Sequence, residues 1–354
     1  MKILLFEDSS KTVNGGGQYI SLLISKFLLQ KKYSIYYVDF FNNIKISSLL
    51  NTIGNKTFIF HSLKNPFIFF YDFFKLYFKI KKYNPDLIYC TTKIALVIGF
   101  VYSKLLNLKI IYHVHLASRD NFSDLIIFNV MKQLDLCICV SEFIYDQLKT
   151  KKLSNLVMLK NPLINSRLNQ SKNINTNEIK LGFAGSLIPT KGILILLQSF
   201  LNLDQSKFKL NIFGDGFLLD DLKKQFNLNK NITFFGHVND LQLHLDEYVD
   251  IFILPSTIPE SSSLVLQQAI SRSIPVITTN VGGQKYFVKN NFNGVLIDVN
   301  DQESIFFAIN YIVENYSSMS QNCIIFSDQF INEELYLHNF IKIINNVNEN
   351  ITVR

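Results

Sequence analysis

The sequence predicts an α/β protein built on parallel sheets, because apolar strand-like segments alternate with helical segments along most of its length. Residues 250–283 show the pattern most clearly: DIFILPSTIPESSSLVLQQAISRSIPVITTNVGG. We interpret them as a buried strand (250–254), a loop (255–263), a helix (264–272), a second strand (275–278) and a Gly-Gly turn. Strands joined through a helix pair in parallel, and ligands of parallel sheets bind beyond the carboxyl ends of the strands.

Both halves of the chain alternate in this way, which indicates doubly wound sheets. In the first half we predict strands at 2–6, 34–40, 57–60, 86–90, 109–115 and 135–140, and helices at 18–31, 93–106 and 142–148. In the second half we predict further strands at 180–184, 210–213, 231–235 and 294–297, and helices at 301–313 and 333–346. With 354 residues, the chain is long enough for two domains of ordinary size.

Composition narrows the function classes. Hydrophobic residues make up 48% of the chain and charged residues 18%, so it should fold around sizeable cores. The net charge of +7 suits an anionic substrate or a membrane surface as well as nucleic acid, but no nucleic-acid-binding motif is recognisable, and we predict no such partner.

Four cysteines without disulfide or zinc spacing favour buried thiols and a reducing cytoplasm. A cytoplasmic location is also expected because we find no signal pattern and no uncharged apolar run of about 18 residues.

The loop at 255–263 carries more polar chemistry than a connector needs. Glu260 and three serines precede the helix predicted from Leu264, and the free N–H groups of a helix start favour an anion. Serine and glutamate are also preferred as helix caps. On this stretch alone, an anion site and a simple cap both explain the residues.

Two further loops have the character of phosphate sites. The segment after strand 180–184 ends in Lys191-Gly192 before a helix, where a lysine can neutralise a phosphate that helix amides also hold. It lacks the spacing of a P-loop, and a solvated lysine near a helix start is the alternative. The loop that ends in Gly16-Gly17 could bring its backbone close to a phosphate, or it could be a flexible turn.

His113 and His115 end the predicted strand 109–115, and the alternation of a strand puts both on one face. Two histidines at this spacing could bind a metal, but no neighbouring carboxylate or cysteine completes a site. We therefore predict no metal.

Residues 66–83 combine six phenylalanines with four lysines. As a helix, the segment places Asp72, Lys75, Lys79 and Lys82 on one face at steps of three and four. A helix packed on the core is one interpretation. The other is an interfacial helix whose rings enter lipid while its lysines meet anionic head groups.

The order of residues in 250–283 resembles a known family: an aliphatic strand, Pro-Ser, Glu, a short loop, Leu-Val, Ala, Pro-Val-Ile and Gly-Gly. This order is similar to that of the retaining glycosyltransferases of family four, which have the GT-B fold of two Rossmann-like doubly wound domains facing each other across a cleft. In that family, two glutamates separated by seven residues contact the donor. The first faces the sugar and corresponds to Glu260, whereas the second holds the ribose and corresponds to Gln268, an amide.

The resemblance implies roles for residues elsewhere. Lys191 would meet the donor diphosphate, and Ser186 stands where the family often has an arginine with the same role. Gly16 and Gly17 would lie close to the diphosphate and the acceptor, and His115, as a neutral imidazole, would hydrogen-bond a sugar hydroxyl. The remaining donor contacts would be the amides of Ser263, Leu264 and Val265. Tyr286 departs from the glutamate that often follows the Gly-Gly in the family.

With the GT-B fold, we expect an acceptor-binding domain at 1–165, a linker at 166–178, a nucleotide-sugar-binding domain at 179–330, and a last segment, 331–354, whose helix crosses back to the first domain. The implied reaction moves a hexose-type sugar from a UDP- or GDP-sugar to a glycan or lipid-linked acceptor, with retention and without metal or other cofactor. A cell-surface polysaccharide or lipopolysaccharide pathway and peripheral contact with an anionic membrane through 66–83 follow as expectations. Two alternatives remain: a binding partner without turnover, which the changes at Gln268 and Ser186 would explain, and a nucleotide-sugar epimerase.

Overall fold

A computed structural model describes residues 1–7, 16–40, 56–61, 63–116, 122–164 and 168–349. The chain forms two compact units: unit 1 comprises Met1–Asn161 and Glu334–Arg354, and unit 2 comprises Pro162–Glu333. Each unit has its own core, made of buried aliphatic and aromatic side chains between a parallel sheet and its helices. No helix in the described ranges is long and apolar enough to cross a membrane.

Unit 1 contains a seven-stranded sheet in the order β3-β2-β1-β4-β5-β6-β7, with every described pair parallel. Its strands are β1 (Lys2–Glu7), β2 (Ser34–Asp39), β3 (Lys56–Ile59), β4 (Leu87–Cys90), β5 (Lys109–Val114), β6 (Leu136–Cys139) and β7 (Leu156–Met158). Its helices in the first part of the chain are α1 (Gly16–Gln30), α2 (Pro66–Tyr83), α3 (Lys93–Leu106), α4 (Phe122–Met131) and α5 (Glu142–Thr150). The six strands predicted in the first half are all present; β7 and α4 were not predicted.

Unit 2 contains a six-stranded parallel sheet in the order β10-β9-β8-β11-β12-β13. Its strands are β8 (Ile179–Ala184), β9 (Phe208–Phe213), β10 (Ile232–Gly236), β11 (Ile251–Leu254), β12 (Val276–Thr279) and β13 (Gly294–Ile297). Its helices are α6 (Ile193–Leu201), α7 (Leu219–Gln225), α8 (Leu241–Tyr248), α9 (Leu264–Ser271), α10 (Gln302–Glu314) and α11 (Tyr316–Ser327), with short 3₁₀ turns at Pro189–Lys191 and Gln284–Tyr286. The βαβ unit predicted at 250–278 is β11-α9-β12, and the α/β fold class is confirmed.

The last helix, α12 (Glu333–Asn348), packs in unit 1 although it follows unit 2 in the chain. Tyr33 Oη donates to Asn345 Oδ1 at 3.2 Å, and Lys109 Nζ donates to the carbonyl of Val347 at 2.7 Å. Basic groups at the last carbonyls of a helix also interact favourably with its dipole.

The polar stretch 166–178, expected to be a linker, is described from Leu168 onward. Leu168 N donates to the carbonyl of Ser271, and Lys172 N donates to Ser320 Oγ, each at 2.8 Å. Lys172 Nζ also donates to the carbonyl of Leu245 at 3.2 Å. These hydrogen bonds attach the described part of the stretch to unit 2.

Helix α2 is capped by Asn65, whose side chain accepts from the amides of Phe67 and Ile68. Its core-facing stripe includes Leu76, Ile80 and, unexpectedly, Asp72, which the sequence grouped with the lysines. Asp72 is fully buried because its carboxylate accepts from the backbone amide of His61 at 2.8 Å and pairs with the His61 ring at 3.0 Å. The sequence placed Asp72 on one face with three lysines; those lysines are exposed, whereas Asp72 is buried.

Candidate active site

The strand order of unit 2 reverses between β8 and β11, which are neighbours in the sheet but whose next strands lie on opposite sides. In open parallel sheets this reversal leaves a crevice at the carboxyl ends of the two strands, where ligands bind. The loop 185–192 follows β8, and the loop 255–263 follows β11. The crevice therefore has Lys191 on one side and Glu260 on the other.

A glycine allows these two loops to touch. Gly192 has φ +74°, and a Cβ at this position would lie 1.9 Å from the carbonyl oxygen of Pro255. Next to this contact, the amide of Thr257 donates to the carbonyl of Thr190 at 2.9 Å. Only glycine fits a left-handed backbone pressed against another chain segment, so Gly192 sets the position of Lys191.

Lys191 and Glu260 form an ion pair, with Nζ 2.8 Å from Oε2. Both side chains are largely shielded from water, with 26% of Lys191 and 14% of Glu260 exposed. Ser256 Oγ donates a hydrogen bond to the other carboxylate oxygen, Oε1. The carboxylate is thus oriented by a lysine and a hydroxyl, which is a more defined arrangement than a helix cap requires.

The Gly-Gly turn after β12 holds the backbone of the Glu260 loop. The amide of Gly283 donates to the carbonyl of Glu260 at 2.6 Å. A Cβ on Gly283 would lie 2.3 Å from the carbonyl oxygen of Ser261, and Gly282 has φ +59°. Thr279 Oγ1 donates to the carbonyl of Ser256 at 2.6 Å, which joins β12 to the same loop. These contacts explain why the turn needs two glycines.

Helix α9 begins at the crevice with Ser263 as its N-cap residue, but the Ser263 side chain makes no cap hydrogen bond. Its Oγ is buried and has no hydrogen-bond partner among the described residues. The amides of Leu264 and Val265 belong to the first turn, where no intrahelical acceptor is available. The start of α9 is consequently equipped to bind an anion.

The three residues that depart from the family pattern also lie in unit 2, and Tyr286 ends the 3₁₀ turn Gln284–Tyr286. Ser186 is half-buried in the loop after β8, the loop that contains Lys191. Gln268 lies on α9 and is 8% exposed. Their contacts to a donor stay a prediction.

Gly16, Gly17 and His115 are in unit 1. Gly16 is the first residue of α1; the preceding Asn14 and Gly15 lie outside the described residues. His115 follows β5, and a Cβ on Gly17 would lie 3.4 Å from its ring carbon Cγ. The His115 ring therefore lies beside the start of α1.

The expectation of a neutral imidazole at His115 agrees with its surroundings. Burial lowers the pKa of His115 to about 4, so the ring is uncharged at neutral pH. Its Nε2 atom is buried and has no hydrogen-bond partner in the part of the chain that the structure describes. The ring of His113 lies 4.2 Å away, centroid to centroid, and its Nδ1 is hydrogen-bonded to Tyr89 Oη.

Burial, and then the neighbouring His115, lower the pKa of His113 well below its usual range. Within the described ranges, no group of three or more His, Cys, Asp or Glu side chains could hold a metal ion. The contact of Nδ1 with Tyr89 Oη fixes the orientation of the His113 ring.

Sequence reasoning did not assign roles to Ser256 and Tyr89. Ser256 was noted only as part of a Pro-Ser pair, although its spacing of four residues from Glu260 in a loop could have suggested a contact. No sequence pattern around Tyr89 indicated a role, because its contact with His113 depends on the pairing of β4 with β5. All four cysteines are buried and free, as predicted.

Comparisons with known proteins agree with this geometry. Residues 165–329 match the family model "Glycosyl transferases group 1", and residues 32–162 match "Glycosyltransferase Family 4". A UDP-Gal:alpha-D-GlcNAc-diphosphoundecaprenol alpha-1,3-galactosyltransferase of Escherichia coli is 30% identical over 200 residues, which are 52% of this chain and 51% of that protein. A lipopolysaccharide 1,2-N-acetylglucosaminetransferase of Salmonella typhimurium is 31% identical over 148 residues, 38% of either chain. The chain thus spans about half the length, or less, of these curated relatives.

Solved structures extend the similarity to the whole fold. Alr3699/HepE of Anabaena, crystallised with UDP, superposes with a TM-score of 0.81 at 20% identity and covers 98% of this chain and 100% of its own. The same protein was also solved with UDP-glucose, with a TM-score of 0.80 at 19% identity over 98% of this chain and 100% of that one. At these identities the superpositions show the fold.

Proposed function

The chain belongs to the group 1 glycosyltransferases of family four and has the GT-B fold, and on this premise we propose that it transfers a hexose from a UDP-sugar to an acceptor hydroxyl with retention at the anomeric carbon. The acceptor would be a glycan or a lipid-linked sugar. The observation that carries the proposal is the Lys191–Glu260 ion pair at the switch point of unit 2.

The chemistry of the reaction explains why such a pair is useful. Transfer develops negative charge on the departing diphosphate and positive charge on the sugar ring. Lys191 and the amides of Leu264 and Val265 would take up the negative charge, helped by the N-terminus of α9. Glu260, oriented by Ser256, would hold the hexose next to them. The proposal gives no step to a metal or other cofactor.

The remaining predicted residues complete the proposal. Gln268 would hydrogen-bond the ribose, and Ser186 would face the diphosphate with less charge than an arginine provides. In unit 1, Gly16 and Gly17 would lie near the diphosphate, and neutral His115 would use Nε2 to contact a sugar hydroxyl.

Similar proteins support the choice of nucleotide and pathway. A galactosyltransferase whose name specifies UDP-Gal and a diphosphoundecaprenol-linked acceptor matches this chain over 200 residues. HepE was crystallised with UDP and with UDP-glucose. We therefore assign the chain to cell-surface polysaccharide or lipopolysaccharide synthesis, at the inner face of a membrane that carries the lipid-linked acceptor, with helix α2 as the contact.

The test is thermal stabilisation by a panel of UDP- and GDP-sugars, applied to the wild type, Lys191→Ala and Glu260→Ala. A ligand at about 100 times its dissociation constant stabilises by roughly 2.7 kcal/mol, which is several degrees in melting temperature. Selective stabilisation by UDP-sugars that Lys191→Ala weakens, with Glu260→Ala removing the preference among the sugars, supports the proposal when transfer to a lipid-linked sugar follows. A shift in melting temperature with GDP-sugars alone would assign GDP instead of UDP as the nucleotide of the donor. No shift with any of these ligands would overturn the enzyme assignment.

A second candidate function is a partner protein that binds a nucleotide sugar without transferring it. Gln268 and Ser186 favour it, because both replace a charged residue of the family pattern with a neutral one. This candidate predicts donor binding without release of UDP when acceptors are supplied. Restoring the charge with Gln268→Glu would raise turnover in a weak enzyme and leave it at zero in a binding partner.

A further inference from the structure

Polar side chains are buried on one face of the unit 1 sheet. Along β1, β4 and β5 the even-numbered residues, such as Ile88 and Tyr112, belong to the hydrophobic core cluster of unit 1. Because successive side chains of a strand point to opposite faces, Glu7, Tyr89 and His113 lie on the other face of the sheet. Their exposed fractions are 2%, 1% and 0%. Polar groups buried to this extent need hydrogen-bond partners.

Tyr89 and His113 are partners of each other. Their strands, β4 and β5, are paired neighbours, and Tyr89 Oη lies 2.5 Å from His113 Nδ1. The ring of Phe340, on α12, meets the Tyr89 ring edge to face with a centroid distance of 5.4 Å. Burial, and then the neighbouring Tyr336 and Glu7, raise the pKa of Tyr89 well above its usual range, so the hydroxyl keeps its proton. The contact therefore joins two neutral groups and gives the His113 ring one orientation.

The His113 ring in turn packs on His115. The two ring centroids are 4.2 Å apart, and the planes are tilted by 44°. On the side of α1, a Cβ at Gly17 would lie 3.4 Å from Cγ of His115 and 3.6 Å from its Nδ1. His113 and the start of α1 thus both contact the His115 ring. Its Nε2 is buried and has no hydrogen-bond partner among the described residues, so this is the atom that a ligand would meet.

We propose that His113 and Tyr89 are positioning residues for His115: Tyr89 orients the His113 ring, and that ring fixes the direction in which His115 Nε2 meets a hydroxyl of the donor sugar. This inference rests on the proposed function, which gives His115 the contact with a sugar hydroxyl. Hydrogen bonds weaken steeply when their angle departs from linearity, so a ring held in one orientation binds a hydroxyl better than a ring that rotates. The effect of the two residues should be limited to the sugar part of the donor.

Removal of the Tyr89 hydroxyl tests this series of contacts, because Tyr89→Phe keeps the ring and loses the bond to His113. Calorimetric titration measures the affinity for UDP and for UDP-glucose or UDP-galactose, whichever stabilises the wild type more. We expect Tyr89→Phe to weaken binding of the UDP-sugar by at least about threefold. UDP should bind as it does to the wild type, because it carries no hexose.

Tyr102→Phe is the matched control. Tyr102, on α3, is also fully buried, and its Oη donates to the carbonyl of Phe73 at 2.8 Å. It belongs to the hydrophobic core cluster on the opposite face of the sheet. This variant therefore loses a buried tyrosine hydrogen bond away from the histidines, and it should change neither affinity.

His115→Ala separates the inference from the proposed function. It should weaken binding of the UDP-sugar by about tenfold. Tyr89→Phe in that background should cause no further loss, because Tyr89 acts through His115, whereas an independent effect would add to the first. Additive losses, or a loss in His115→Ala without one in Tyr89→Phe, would overturn the positioning role and leave the sugar contact in place. Unchanged binding by His115→Ala would overturn the sugar contact itself.

A second measurement needs no ligand. The ring signals of His115 in the NMR spectrum of ¹⁵N-labelled protein should be alike in the wild type and Tyr102→Phe, and shifted and broadened in Tyr89→Phe. Identical signals in Tyr89→Phe and the wild type would overturn the proposal. Equal weakening of UDP and UDP-sugar binding would also overturn it, because that result indicates a general structural role.

His113→Asn tests the same contacts if Tyr89→Phe does not fold. It keeps a polar group for the Tyr89 hydroxyl and removes the ring that packs on His115. We expect it to lose affinity for the UDP-sugar and to keep that for UDP, with a melting temperature that confirms folding. Unchanged affinity for the UDP-sugar in a folded His113→Asn would contradict the proposal.

Discussion

The Nζ atom of Lys191 lies 2.8 Å from Oε2 of Glu260, so the lysine proposed for the diphosphate and the carboxylate proposed for the sugar are ion-pair partners. A diphosphate that takes the lysine competes with Glu260. Because both groups are mostly shielded from water, removing one leaves the other with an uncompensated charge.

This competition predicts opposite effects on UDP binding from the two halves of the pair. Lys191→Ala should weaken UDP binding by at least about tenfold, since a charge-assisted hydrogen bond is lost and Glu260 then repels the phosphates. Glu260→Gln keeps the size of the side chain and frees the lysine, so UDP should bind as tightly as to the wild type or several-fold tighter. Transfer from a UDP-sugar should nevertheless fall by about a hundredfold. Calorimetric titration with UDP and a transfer assay measure both. Equal weakening of UDP binding by the two variants would contradict these roles.

Gly192 and Gly236 offer a matched test of the loop contact. Their φ angles are +74° and +73°, but a Cβ at Gly192 would meet the Pro255 carbonyl oxygen at 1.9 Å, whereas one at Gly236 would meet nothing within 4 Å. Gly236→Ala should therefore lower the free energy of unfolding by only about 1–2 kcal/mol, the cost of the left-handed backbone. Gly192→Ala should cost at least about 2 kcal/mol more, because the two loops must separate. Denaturant unfolding of both variants gives the difference. Equal losses of unfolding free energy in the two variants would mean that the loops at Gly192 and Pro255 can separate without destabilising the protein.

Much of unit 2 could be predicted from sequence because its signals are local. The β11-α9-β12 pattern, the Gly-Gly turn and the helix start at Leu264 are all visible in apolar periodicity and turn residues. Strand β7 and helix α11 were missed: β7 has three residues, and the buried side of α11 mixes Tyr316, Met319 and Cys323 with serines, which weakens its apolar periodicity. Lys191 and Glu260 were each predicted, but their contact depends on the approach of two distant loops at Gly192, which no local pattern encodes.

The burial of Asp72 in helix α2 was not predicted from the sequence. Its spacing placed it on one face with Lys75 and Lys79, which are exposed, whereas the structure buries Asp72 because the backbone amide of His61 is available as a donor. Tertiary hydrogen bonds of this kind override helical periodicity. The same limit applies to α2 as a whole, since the sequence left a core-packed and an interfacial helix open and could not show which aromatic residues stay uncovered.

Gln268 provides a gain-of-function prediction. A carboxylate at this position would form charge-assisted hydrogen bonds with the ribose, roughly twice as strong as those of an amide. Gln268→Glu should therefore tighten UDP binding by about tenfold, from about 1.4 kcal/mol. The gain should be clearly smaller with 2′-deoxy-UDP as the ligand, because one of the two hydroxyls is then missing. An equal gain in affinity for UDP and 2′-deoxy-UDP, or no gain for either, would contradict the proposed contact of residue 268 with the ribose. The melting temperature without ligand controls for the cost of a buried carboxylate.

His115 predicts how the stability of unit 1 depends on pH. An unfolded histidine titrates near 6.5, whereas burial lowers the pKa of folded His115 to about 4. Between these values the unfolded chain binds the proton and the folded chain does not, so acid favours unfolding. The stabilisation is fully present above about pH 6.5 and is lost as the pH falls toward 4, by roughly 2 kcal/mol at pH 5.

His115→Asn should remove this part of the pH dependence, while His113, whose pKa burial also lowers, keeps its own part. Urea unfolding of the wild type and the variant at pH 7.5, 6 and 5 measures the two slopes. His237→Asn, at an exposed position in unit 2, is the control and should follow the wild type. A variant at His115 with the slope of the wild type would show that folding does not lower the pKa of the ring, and burial would then not keep it neutral below about pH 6.5.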